Sequence, residues 1–297
     1  MVGRREFLYG LGVTIGGSIL LGANRPARAD DDWSEKLVRS LAALEKERGG
    51  RLGVAVADTS SGKNAAFRGE ERFPMCSTFK TLAAAAILAR VDAGKEQLDR
   101  RIRFEAKDVV VNSPVSKNRA EGDGMSLAEI CEAAMTFSDN TAGNLLLANL
   151  GGPEGLTAYT RSLGDTVTRL DRNEPDLNEA VPNDLRDTTS PSAMLSDLQA
   201  LVTGNALTPA SRERLIGWLV GNKTGDARLR AGFPRDWRVG DKTGSGEKGT
   251  TNDVAVVWPS ANRPPLFVSV YLTGSSPETD HRNATLATVA RTVAASL

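Results

Sequence analysis

The chain has 297 residues, 37 basic and 37 acidic, so its formal net charge is zero. That balance excludes the basic excess a nucleic-acid footprint needs, while 40% hydrophobic residues suffice for a core in one or two domains. One histidine, His281, excludes a histidine-rich metal site, and Cys76 and Cys131 are too scattered around it to suggest zinc.

Residues 1–29 read as an export segment. Arg4 and Arg5 precede an uncharged run from Leu8 to Ala23, and Ala27-Arg28-Ala29 has the small-x-small form of a cleavage site. Paired arginines suggest the twin-arginine route, hence a periplasmic or secreted product. The run is glycine-rich and shorter than a usual membrane span of about 20 residues. Export takes Cys76 and Cys131 to an oxidising compartment, where a bridge is possible; the sequence does not say whether they meet.

Leu37, Leu41, Ala42 and Leu44 predict a helix over Trp33 to Arg48. Leu52 to Asp58 alternates and predicts a strand, followed by a turn and a second strand over Ala65 to Arg68. From Ser77 to about Leu219 the pattern is mostly helical. Ser126 with Glu129 forms a capping box for Leu127 to Phe137. Thr141 to Leu150 stops at Gly151-Gly152, and Pro153 opens the next helix. Ser190-Pro191 and Thr208-Pro209 open two more. Residues 168–189 have no periodicity and are rich in Asp, Asn, Arg and Pro; a structureless stretch this long is usually functional. Strands return at Trp237 to Gly244, Asp253 to Pro259 and Leu266 to Thr273, before a last helix from about Thr279.

The expected fold class is therefore α/β in the α+β sense. An antiparallel sheet flanked by helices is built from both chain ends, with an all-α domain inserted. We expect the α/β domain at 30–68 and 220–297, the all-α domain at 69–219, and a functional loop at 168–189. A cleft between the lobes is the natural place for a site.

Four clusters carry chemistry. Ser77 and Lys80 are three apart at a predicted helix start, so the amine can lie beside the hydroxyl. A serine needs an adjacent base, and a lysine buried in an apolar helix loses pKa. The same spacing in Ser60–Lys63 and Ser245–Lys248 makes the motif weak alone. Ser138-Asp139-Asn140 suits a helix cap, yet its hydroxyl can relay a proton and its amide can bind a carbonyl. Glu174 and Asn178, in the long loop, can together hold a water with Glu174 as general base, or be solvated loop groups. Lys242-Thr243-Gly244 ends a strand whose edge can pair with an amide-like substrate. A second Lys-Thr-Gly, at 223–225, lies between helices and looks like surface.

Taken in order, these clusters resemble the class A serine β-lactamases over nearly all of residues 33–297. The resemblance is carried by Ser77-Thr78-Phe79-Lys80, Ser138-Asp139-Asn140, Glu174-Pro175-Asp176-Leu177-Asn178, Lys242-Thr243-Gly244-Ser245 and the Gly151-Gly152-Pro153 break. It implies hydrolysis of the β-lactam amide of penicillins and cephalosporins through a Ser77 acyl-enzyme, with Lys80 or Glu174 as acylation base. It implies Ser138 as proton relay, Asn140 on the substrate side chain, and Lys242, Thr243 and Ser245 on its carboxylate. The N–H groups of Ser77 and Ser245 would bind the oxyanion, and Glu174 with Asn178 the hydrolytic water. Arg172 and Asp187 resemble an ion pair closing the 168–189 loop.

The chain departs from the commoner pattern where Thr251 and Asn283 replace an arginine near the substrate carboxylate; Arg228 is the candidate substitute. Asn112 stands where an aromatic residue usually flanks the mouth. The partners that Cys131 and Cys76 have in some relatives are Ala84 and Gly246 here, so two free thiols are expected. The resemblance implies small-molecule β-lactam partners, no cofactor or metal, no membrane attachment after cleavage, and a monomer. A D,D-peptidase would share Ser77, Lys80, Ser138 and Lys242 but not need Glu174 with Asn178. A β-lactam sensor would be acylated once.

Overall fold

A computed structural model describes the backbone from Ala27 and the side chains from Asp32 to Leu297. The expected export signal lies outside the described residues, apart from the backbone of its last positions. Helix α1 (Ala27–Arg48) leads into strands β1 (Arg51–Asp58) and β2 (Lys63–Phe67), then the short β3 (Phe73–Pro74). The helical part follows: α2 (Phe79–Asp92), the short β4 (Arg101–Ile102) and β5 (Met125–Ser126), α3 (Leu127–Thr136), α4 (Asn140–Leu150) and α5 (Pro153–Ser162). After the long loop come β6 (Thr188–Thr189), α6 (Pro191–Val202), α7 (Pro209–Val220) and α8 (Leu229–Gly232). The chain ends with β7 (Arg238–Gly246), β8 (Thr250–Trp258), β9 (Leu266–Thr273) and α9 (Thr279–Ser296).

One five-stranded antiparallel sheet, ordered β2-β1-β9-β8-β7, joins the two chain ends. The alternation read in β1 sorts side chains by size rather than by polarity, because both sheet faces are covered. Val54 and Val56 pack on the α1 and α9 side with Leu37, Leu41, Val289 and Val293. Ala55 and Ala57 belong to the core of the helical part. The middle strands are accordingly buried almost end to end.

The helical part is organised on α2, whose residues from Phe79 to Leu88 are all buried. A helix apolar all round has to be enclosed by its neighbours, and α3, α4, α5 and α7 surround it. The caps read from sequence are formed. Ser126 and Glu129 exchange bonds at the start of α3, Ser190 and Thr208 cap α6 and α7, and Gly151 closes α4 at φ +92°. The helical part is not wholly α: two-residue ladders pair β3 with β6 and β4 with β5. The first of these fastens the far end of the 168–189 loop beside the turn that carries Ser77.

Candidate active site

Ser77 sits on a strained turn running into a buried helix. Cys76–Thr78 forms a short 3-10 turn and α2 begins at Phe79, so Ser77 precedes the helix rather than opening it. Cys76 has a φ of +46°, a left-handed conformation that costs a non-glycine residue about 1–3 kcal/mol and needs surroundings to enforce it. Two strands supply that. Asn252 Nδ2 donates to the carbonyls of Pro74 and Met75 at 2.8 and 3.1 Å. Strand β7 presses close enough that a Cβ on Gly244 would lie 2.8 Å from the Met75 carbonyl.

Lys80, one turn on, is fully buried. Its Nζ donates to Ser77 Oγ at 2.9 Å, to the Ser138 carbonyl at 2.8 Å and to Asn140 Oδ1 at 2.8 Å, and lies 2.9 Å from Glu174 Oε1. Burial lowers its pKa, and the Glu174 carboxylate partly opposes that shift. The amine reaches this place because α4 gives way to it: a Cβ on Gly143 would meet Lys80 Cε at 2.8 Å.

The Ser138-Asp139-Asn140 cluster divides its labour. Asp139, not Ser138, caps α4, accepting from the Ala142 N–H and the Ser116 hydroxyl on one oxygen, and from the N–H groups of Val115 and Ser116 on the other. Ser138 is thereby turned to a φ of +55°, and its Oγ accepts from Lys242 Nζ at 2.9 Å. Lys242 is itself fully buried, and its pKa falls well below the ordinary lysine value through desolvation and the nearby Lys80 charge.

The edge strand β7 brings Lys242 to Ser245 along the cleft. Arg228 is buried behind it, donating to Ser245 Oγ at 2.7 Å, to the carbonyls of Gly244 and Asn252 at 2.8 Å each, and to Asn283 Oδ1 at 3.1 Å. Its guanidinium therefore fixes the Ser245 hydroxyl. The second Lys-Thr-Gly is not mere surface. Thr224 is exposed, but its hydroxyl bonds the Thr243 hydroxyl and lines the cleft.

The 168–189 loop delivers the carboxylate. Ser77 Oγ donates to Glu174 Oε1 at 3.0 Å, and Asn178 Nδ2 bonds Glu174 Oε2. Asn178 Oδ1 is buried without a partner among the described residues. Asn144 on α4 pins the backbone of Glu174 from both sides, accepting from its N–H at 2.8 Å and donating to its carbonyl at 2.9 Å. The expected Arg172–Asp187 pair is formed at 2.6 Å, with Asp187 1% exposed. Asp187 Oδ1 also accepts from the N–H groups of Asp171 and Arg172, so one carboxylate ties the two ends of the loop.

Ser77, Ser138, Asn140, Asn178, Thr243 and Ser245 line one cleft of about 680 Å³, with Lys80, Glu174 and Lys242 held behind them. Its rim carries Val111, Phe137 and Asn112. Asn112 stands at φ +58°, a left-handed conformation that asparagine tolerates better than most residues. Its carbonyl accepts from the Asn140 N–H at 3.1 Å. Cys76 and Cys131 are free and buried, and burial pushes both thiols up. His281 lies apart, its Nε2 3.0 Å from the Arg48 carbonyl. Of the two other Ser-x-x-Lys runs, Ser60 and Lys248 are exposed. Reading motifs missed Asn144, Gly143 and Thr224. The first two lie one turn apart from Asn140 on α4, and that spacing is the only signal that pointed to them.

An antiparallel sheet flanked by helices thus carries a buried Ser–Lys–Glu contact at its cleft. The profile described as "Beta-lactamase enzyme family" matches residues 36–297. The chain is 46% identical to "Beta-lactamase OXY-1" of Klebsiella oxytoca over 260 residues, 88% of this chain and 89% of that one. It is 48% identical to "Beta-lactamase Toho-1" of Escherichia coli over 255 residues, 86% and 87% of the two chains. Among solved structures, "Ancestral (GNCA) Beta-lactamase class A" superposes with a TM-score of 0.86 at 62% identity, covering 88% of this chain and 100% of that one. The putative class A β-lactamase PenP from Rhodopseudomonas palustris does so with a TM-score of 0.86 at 57% identity, with the same coverages. The chain belongs to the class A β-lactamases, and its activity is hydrolysis of the β-lactam amide.

Proposed function

We propose that the chain hydrolyses penicillins and cephalosporins in two steps through an ester on Ser77. The observation that carries this reading is the triangle of Ser77 Oγ, Lys80 Nζ and Glu174 Oε1, with sides of 2.9, 2.9 and 3.0 Å. In acylation the hydroxyl gives up its proton and Oγ attacks the lactam carbonyl. The carbon–nitrogen bond breaks, and Ser138, held by Lys242, passes a proton to the leaving nitrogen. The N–H groups of Ser77 and Ser245 receive the oxyanion, where one such donor is worth about 3 kcal/mol. Lys242, Thr243 and Ser245 take the substrate carboxylate, with Arg228 steadying Ser245, and Asn140 takes the side-chain amide. In deacylation Glu174, with Asn178, removes a proton from water, the hydroxide attacks the ester, and Ser77 leaves with its proton restored.

A D,D-peptidase has no need of the Glu174–Asn178 pair, and this chain places that pair against the nucleophile. We further propose that the protein is exported, a reading supported by the paired arginines and the Ala27-Arg28-Ala29 site in the sequence.

Stopped-flow hydrolysis of a chromogenic cephalosporin by wild type and Glu174→Ala tests the two-step reading. Sustained turnover by wild type and a stoichiometric burst followed by stalled turnover in the variant are expected. Two bases touch the hydroxyl, and the burst rate separates them. An unchanged burst assigns acylation to Lys80, and a burst slowed in step with turnover assigns it to Glu174. A wild type that stops after one equivalent would sink the hydrolytic reading.

A further inference from the structure

The back of the 168–189 loop walls a second cavity, of about 860 Å³, larger than the catalytic cleft. Its other wall comes from the start of β1, the segment 71–74 and the β8–β9 end of the sheet. Among the described residues, five large apolar side chains are exposed: Val111, Phe137, Val181, Leu185 and Leu297. Val111 and Phe137 form the rim of the catalytic cleft, and Val181 and Leu185 line the second cavity. Exposed apolar side chains gathered at a concavity mark ligand grooves more often than scattered ones do.

The charges select the ligand's sign. The cavity's two acids are both neutralised: Glu71 by Arg51 and Arg68, and Asp184 by Arg186 at 2.6 Å. Of its three bases Arg51 is taken by Glu71, and the other two are less committed. Arg72 bonds only the Thr188 hydroxyl, at 3.1 Å, and has no carboxylate partner among the described residues. Among the described residues the Lys248 amine has only its exposed neighbour Glu247, at 3.8 Å. A cation would find no unpaired carboxylate here, whereas an anion would find an unpaired guanidinium beside an apolar wall.

We propose that this cavity binds an amphiphilic carboxylate, its acid on Arg72 and its apolar body against Val181 and Leu185. Both a fatty acid and a ring-opened β-lactam have that chemistry. Calorimetric titration of the full protein with sodium decanoate, and separately with hydrolysed benzylpenicillin, tests it. We expect saturable binding of at least one, weakened about tenfold by Arg72→Gln, as loss of one charge-assisted bond requires. Arg72→Lys should largely restore it, Leu185→Asn should also weaken it, and Val111→Asn at the cleft rim should leave it unchanged. Decyltrimethylammonium, with the same tail and the opposite charge, should not bind. Binding of one carboxylate alone supports the site and names its source. No saturable heat from either, equal binding of the ammonium, or weakening by Val111→Asn instead of Arg72→Gln overturns the proposal. Should Arg72→Gln fail to fold by circular dichroism, Leu185→Asn carries the same comparison. None of these readouts depends on hydrolysis.

Discussion

The nucleophile and the carboxylate that faces it are held by opposite kinds of structure. Lys80 sits on α2 and Ser77 on the turn just before it; the helix is enclosed by apolar side chains through Leu88, and the turn is backed by two strands. Glu174 sits on a loop without regular structure beyond short turns, held by Asn144 at its backbone and by Asp187 at the loop's ends. Packing is redundant, because many small contacts share the load. A polar clamp is not, because losing one partner leaves a buried group unpaired. Damage to the helix should therefore appear as lost stability, and damage to the loop as lost turnover in a folded protein.

The largest effect should come from the helix. Leu82→Ala deletes a fully buried side chain and should cost about 2–5 kcal/mol in urea unfolding, while the turnover of the folded fraction changes little. A large fall in kcat at full folding would erase the contrast. Next, Asp187→Ala opens both ends of the loop. Since misplacing a reacting group by about 1 Å can cost about 10²-fold, kcat should fall by about that factor with the acylation burst kept. Unchanged deacylation in single-turnover assays would make the clamp incidental.

Asn144→Ala removes two hydrogen bonds from the Glu174 backbone and should cost about 30-fold in kcat, taking about 1 kcal/mol per bond. It should do so with the melting temperature nearly unchanged. The smallest effect on turnover lies away from the cleft, at a residue that does not line it. Asp197 on α6 is buried against Asp165, and desolvation together with that second carboxyl raises its pKa to about 9. The folded state thus holds a proton that the unfolded chain releases near the ordinary carboxylic value. Stability from this group is present at low pH and is lost as pH rises toward about 9. Asp197→Asn should flatten that slope, so that its stability relative to wild type rises from pH 5 to pH 8, read from paired unfolding curves. A parallel pH dependence in both proteins would show that the pair does not share a proton.

Much of this was legible in the chain. The caps at Ser126, Ser190 and Thr208 and the Gly151 break were readable because a cap is a local event between neighbours in sequence. Ser77, Ser138, Glu174 and Lys242 were readable because each lies in a short motif of recognisable order. Asn144 and Gly143 were not. One is an ordinary polar residue of a helix, and its role depends on a loop thirty positions away. The other matters only through the lysine it admits. Thr224 was read as surface because its hydroxyl meets β7 only after folding.

By itself the sequence determined the elements, their caps and the identity of the groups able to do chemistry, since those follow from near-neighbour spacing and side-chain type. The tertiary structure alone decided which of three Ser-x-x-Lys runs meets a carboxylate, which lysines lose their water and which side of the long loop faces a second cavity. Burial and convergence depend on residues distant in the chain, and no local pattern encodes a distance between them.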